Sequence, residues 1–84
     1  MHSFETQTEL RLIFEGDQLR LNTEPAQMMT SLMAHDATGR VVEFQTTPSH
    51  VYSMLWQQWP DGIYFLRVQL ESGQLLKSAL PLIR

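Results

Sequence analysis

The residues able to do chemistry are few and scattered. Three histidines, His2, His35 and His50, are the only imidazoles, and there is no cysteine. A metal centre needs several such donors brought together at close ligand spacing. These histidines lie far apart and no thiolate helps, so neither a metal nor any other cofactor is expected. Nucleophilic catalysis asks for a hydroxyl or thiol, a base and an orienting acid. Ser49 precedes His50, but adjacency in sequence is not a triad. Asp36 and Asp61 could form a carboxylate pair, yet each lies in a glycine-containing turn, where aspartate usually bonds its own backbone. Glycines 16, 39, 62 and 73 stand singly and make no phosphate-cradling loop. The expectation is a chain that is not an enzyme.

The two tryptophans offer a different chemistry. Exposed indoles stack on sugar rings, whereas in a small domain a large aromatic normally fills the core. The core is the expected place for Trp56. For Trp59, which precedes Pro60, core and surface both stay open. The five methionines read mostly as core filler, with Met28 and Met29 beside a turn.

The elements that must position these residues read as strands. From Glu9, Leu10, Leu12 and Phe14 recur at the two-residue period of a half-buried strand until Glu15-Gly16-Asp17 breaks it. Leu19 and Leu21 continue the pattern to Asn22-Thr23-Glu24-Pro25, where proline denies the ladder a donor. Residues 28–35 fit helical spacing through Met28, Met29, Leu32 and Met33. The run is short and leads into the turn Asp36-Ala37-Thr38-Gly39, which favours a strand. Residues 40–45, 50–56, 63–70 and 75–83 complete the set, the sixth strand being the most apolar and central, the last placed at a sheet edge by Pro81. Seven short strands with turn signals at roughly 8 to 12-residue intervals predict an all-β, antiparallel β-sandwich.

Length and charge bound the function. At 84 residues there is one domain, and its core is small. A net charge of −3 with only six lysines and arginines argues against nucleic acid, whose binding is driven by clustered cations. The scattered cations form no polybasic patch for an anionic membrane. No apolar run approaches the roughly 20 residues of a spanning helix. Residues 1–8 carry no secretory leader pattern and read as the tail of an interdomain linker with an added start methionine, leaving 9–84 as the folded domain.

Taken in order, Asp36, Gly39 and Arg40; Trp59, Pro60, Gly62 and Tyr64; then Arg67, Gly73 and Lys77 form a pattern. From about Asp17 to Arg84 the chain resembles the C-terminal sorting domain of the type IX (Por) secretion system of Bacteroidetes. That family shows an Asp-x-x-Gly-Arg turn between strands, a Leu-Pro-x-Gly-x-Tyr segment entering a strand with an internal basic residue, a Gly turn, and a final strand bearing Lys. Trp59 stands where the family usually has an aliphatic residue, and the chain ends Leu80-Pro81-Leu82-Ile83-Arg84 where many members end on a Lys-rich strand.

The resemblance implies a seven-stranded immunoglobulin-like sandwich acting as a non-catalytic export signal. Its partners would be the outer-membrane translocon and a sortase-like attachment complex, with anionic lipopolysaccharide as the anchor. Its location would be the periplasm in transit and then the outer membrane or cell surface. A version retained within the secretion machinery fits the same features. The last strand and the Asp36-to-Arg40 turn are the expected recognised surface, Lys77 and Arg84 guarding the strand edge; strand exchange between two copies is a further expectation. Rival readings are a carbohydrate-binding or adhesive immunoglobulin-like module, which requires exposed Trp56 and Trp59, and a structural spacer or dimerisation domain.

Overall fold

The computed structural model describes residues 8–83. Seven strands run in chain order: β1 (Glu9–Glu15), β2 (Gln18–Glu24), β3 (Met29–Asp36), β4 (Val41–Gln45), β5 (Tyr52–Leu55), β6 (Gly62–Leu70) and β7 (Leu75–Leu82). They form a three-stranded sheet in the order β1-β2-β5 and a four-stranded sheet in the order β4-β3-β6-β7. Every pairing is antiparallel. The all-β sandwich expected from the periodicity is therefore the observed fold, and 28–35 is strand rather than helix.

The alternation of side chains explains why the sheets stack. In β6, Tyr64, Leu66, Val68 and Leu70 point inward and are buried, while Ile63, Phe65, Arg67 and Gln69 point outward and are exposed. Leu19 and Leu21 of β2 meet them across the interior, and Leu32 and Ala34 of β3 stand beside them in the same sheet. β6 lies between β3 and β7, so both of its edges are paired. β7 is an edge strand, as Pro81 foretold. At the start of the chain's central portion the buried Thr23 hydroxyl donates to the Pro25 carbonyl at 2.9 Å and accepts from the Gln27 amide at 2.8 Å. That pair of bonds carries the chain from one sheet to the other.

β5 is shorter than its sequence pattern, which runs from His50 to Trp56. The Ser49 hydroxyl bonds both the carbonyl and the amide of Val51, and Ser49 bridges backbone to Met29. This local knot keeps residues 49–51 out of the ladder. At the other end Trp59 N–H donates to the Trp56 carbonyl at 3.0 Å, so a turn begins where the alternation still reads apolar.

Candidate interaction surface

The β3–β4 turn is built around one carboxylate. Asp36 Oδ1 accepts from the Thr38 amide (2.9 Å), the Thr38 hydroxyl (2.6 Å) and the Arg40 amide (2.9 Å). Its carbonyl accepts from Gly39 N–H at 3.0 Å, and its own N–H donates to the Arg40 carbonyl at 2.9 Å. Gly39 has φ of 92°, a left-handed conformation that glycine adopts without a Cβ penalty; nothing else crowds the position. The Arg40 guanidinium lies 3.6 Å from Asp36 Oδ2. The Thr38 hydroxyl, then the Arg40 amide, hold the Asp36 carboxyl below its ordinary value. A carboxylate so occupied is a poor general base. It is a turn clamp that leaves the Arg40 side chain largely exposed.

The Trp59-to-Tyr64 segment is also a structural device. Tyr64, 3% exposed near the start of β6, donates its hydroxyl to the Pro60 carbonyl. This is the arrangement called a tyrosine corner in immunoglobulin-like sandwiches. Trp59 is 5% exposed and lies against the Tyr64 ring, centroids 4.9 Å apart. Trp56 is half-buried and meets Phe14 edge-on at 5.1 Å. Trp59 thus belongs to the core, and the exposed indole pair that a sugar-stacking surface requires is not presented.

The two segments meet. Asp36 pairs with Tyr64 in the β3–β6 ladder, and Gly62 pairs with Leu82 at the end of β7. A shallow groove at this end of the four-stranded sheet is lined by Asp36, Thr38, Arg40, Pro60, Asp61 and Gly62, among others. Asp36, Gly39, Arg40, Trp59, Pro60, Gly62 and Tyr64 therefore gather at one pole. Gly73, with φ of 95°, turns the β6–β7 hairpin at the opposite pole. Arg67 and Lys77 sit between the poles as a directly opposed pair on the outer face. Arg84 lies outside the described residues, as does His2.

Other candidate chemistry is dispersed. The Ser49 hydroxyl is engaged with Val51, and His50 is exposed beside it. Asp61 is exposed and lines the shallow groove at the Asp36 pole.

The periodic reading missed the composition of the outer face of the four-stranded sheet. Two rows cross it: Phe44–Met33–Arg67–Lys77 and Val41–His35–Phe65–Ala79. Phe44 is 56% exposed, Val41 49% and Phe65 39%. The signal was present in Ile63 and Phe65, apolar residues on the face of β6 expected to be wet. Only the pairing of strands shows that Val41 and Phe44 join them.

No family model matches the chain, and no curated protein matches it. Among solved structures it is similar to a DUF3244 family protein with an immunoglobulin-like β-sandwich fold from Bacteroides vulgatus, with a TM-score of 0.70 and 19% sequence identity. The match covers 92% of this chain and 95% of that one. At such identity the likeness establishes the fold: this chain is an immunoglobulin-like β-sandwich.

Proposed function

We propose that this domain is a non-catalytic export signal, a C-terminal sorting domain read by the outer-membrane translocon of a type IX secretion system. The reading rests on the residues that resemble that family and on one geometric observation. The Asp36-to-Arg40 turn and the last residues of β7, far apart in sequence, come to the same pole of the four-stranded sheet. A receptor engaging that pole would read a rigid loop, one exposed guanidinium and a strand edge at once. Such a signal needs shape and hydrogen-bonding backbone rather than reactive groups, and β7 carries a ladder partner on one side only. Periplasmic transit, surface attachment through a sortase-like complex and linkage to anionic lipopolysaccharide follow from the same proposal.

The experiment is a secreted reporter fused ahead of this domain in a Bacteroidetes host with an active type IX system. The intact fusion should reach the cell surface. Deleting residues 80–84, which removes the end of β7 from the pole, should leave the reporter in the periplasm. Normal surface display of the truncated fusion, with the domain shown to be folded, would refute the proposal.

A further inference from the structure

The described cations fall into two groups. Arg11 bridges to Glu24 at 3.0 Å, Arg20 to Glu15 at 2.9 Å, and Arg40 reaches Asp36 at 3.6 Å. Arg67 and Lys77 have no acidic partner among the described residues. They are placed directly opposite one another across the β6–β7 ladder. Like charges so opposed are destabilising. Protection of a sheet edge explains Lys77, on an edge strand. It does not explain Arg67, which lies on β6 between β3 and β7.

The surroundings of this pair are apolar. Met33 and Phe44 extend the same row, and His35, Phe65 and Ala79 fill the next. The His35 and Phe65 rings are 5.5 Å apart, and together with Arg67, Lys77 and Ala79 they line a shallow groove. The outer face of the three-stranded sheet is different. Its rows bring together Glu9 with Glu24, Arg11 with Asn22, Ile13 with Arg20 and Ser53, and Glu15 with Gln18 and Leu55, and both its arginines are bridged to glutamates. On that face both arginines thus have an acidic partner, beside exposed apolar residues such as Ile13 and Leu55. The other is apolar with two uncompensated positive charges at its middle.

We infer that the outer face of the β4-β3-β6-β7 sheet is a docking surface for an acidic, apolar peptide segment of another protein, its carboxylates seated between Arg67 and Lys77. The argument is charge complementarity. A carboxylate placed there relieves the Arg67–Lys77 repulsion and gains two charge-assisted hydrogen bonds, while apolar neighbours cover Phe65, Met33 and Phe44. Face-to-face pairing of two copies about an axis through this pair would instead bring two such cation pairs together. This inference stands on the unpaired charges and apolar neighbours of this face and not on the sorting reading, although Arg67 and Lys77 also belong to the pattern behind that reading.

The test uses the full chain and a fluorescein-labelled peptide carrying two glutamates between leucine and phenylalanine, with a glutamine version as control. The acidic peptide should bind, more weakly as salt rises, and the glutamine peptide should bind at least about tenfold more weakly. Arg67→Glu and Lys77→Glu should each lower affinity about tenfold or more, while Arg11→Glu, on the opposite face, should leave it within about twofold. Amide shifts on titration should map to Met33, His35, Phe65 and Lys77. The thermal transition of each variant checks that it is folded, and the salt and glutamine comparisons stand on the unmodified protein. Equal binding of both peptides, shifts mapping to the three-stranded sheet, or affinity indifferent to Arg67 and Lys77 would each overturn the inference. So would binding only to phosphatidylglycerol vesicles, or a dimer abolished by Phe65→Glu with no peptide bound.

Discussion

Tyr64→Phe isolates a single hydroxyl at the pole where the motif residues gather. The ring stays, so its burial, its packing against Trp59 at 4.9 Å and the apolar contacts of β6 are retained. What disappears is the bond to the Pro60 carbonyl. A net intramolecular hydrogen bond contributes about 0.5–1.5 kcal/mol, and a buried partner left unpaired costs about 1–3 kcal/mol. Pro60 is an exposed residue, so water can reach much of what the tyrosine leaves. The lower range governs, and the loss should be about 1 kcal/mol.

In a domain of this size that corresponds to a fall in Tm of about 4–8 °C. Calorimetry measures it directly, and urea unfolding should show a lower midpoint with an unchanged slope, since no surface is newly exposed. A shift of less than about 0.3 kcal/mol would mean that the corner bond is idle and that Tyr64 acts through its ring alone. A changed urea slope would mean that the variant reorganises the pole, and the hydroxyl could not then be credited with the difference.

Leu66→Ala, at a fully buried position in the middle of β6, should cost about 2–5 kcal/mol; chemical denaturation should show a large fraction of the stability lost, since such domains hold only about 0.05–0.15 kcal/mol per residue. Lys77→Glu should raise Tm by a few degrees by turning the opposed cations into an attractive cross-strand pair of about 0.2–1 kcal/mol, a gain that high salt should erase. Asp36 has its folded pKa lowered from 3.8, so its contribution is present above that pH and is lost as pH falls through the folded value; stability profiles below pH 4 should fall more steeply for the unmodified chain than for Asp36→Asn. Burial raises the Tyr52 phenol above 10.0, so the contribution of the neutral hydroxyl is full below about pH 10 and is lost as pH climbs through the raised value; Tyr52→Phe should flatten that alkaline limb.

Two-residue periodicity made the strands legible because each has one face in a common core. The pattern is cleanest in β6, where Tyr64, Leu66, Val68 and Leu70 are all buried. It also carried β3 past its helix-like methionines, because the run is only 8 residues long and ends in the Asp36-to-Gly39 turn. The limits of β5 were not legible, since the Ser49 side chain competes for the backbone of Val51, and alternation does not register such competition. Nor could periodicity decide Trp59. Its burial depends on Tyr64 folding back toward Pro60, a tertiary closure involving residues on both sides of a turn.

The pattern that resembles sorting domains therefore contains two kinds of residue. Trp59, Gly62, Tyr64, Gly39 and the Asp36 carboxylate build a corner and a turn, tasks that immunoglobulin-like sandwiches perform whatever they bind. Arg40, Arg67 and Lys77 are exposed; Arg40 pairs with Asp36 and Lys77 guards an edge strand, but none of the three builds the core. On the sorting and docking proposals specificity resides in the second kind, since the first is needed merely to keep the pole in shape. Substitutions that spare stability and change behaviour should accordingly fall at these three cations, with Arg40 at the pole reporting on export and the Arg67–Lys77 pair reporting on peptide capture. If both activities followed stability alone, through Tyr64→Phe as readily as through Arg40→Glu or Lys77→Glu, the separation of scaffold from contact residues would be wrong.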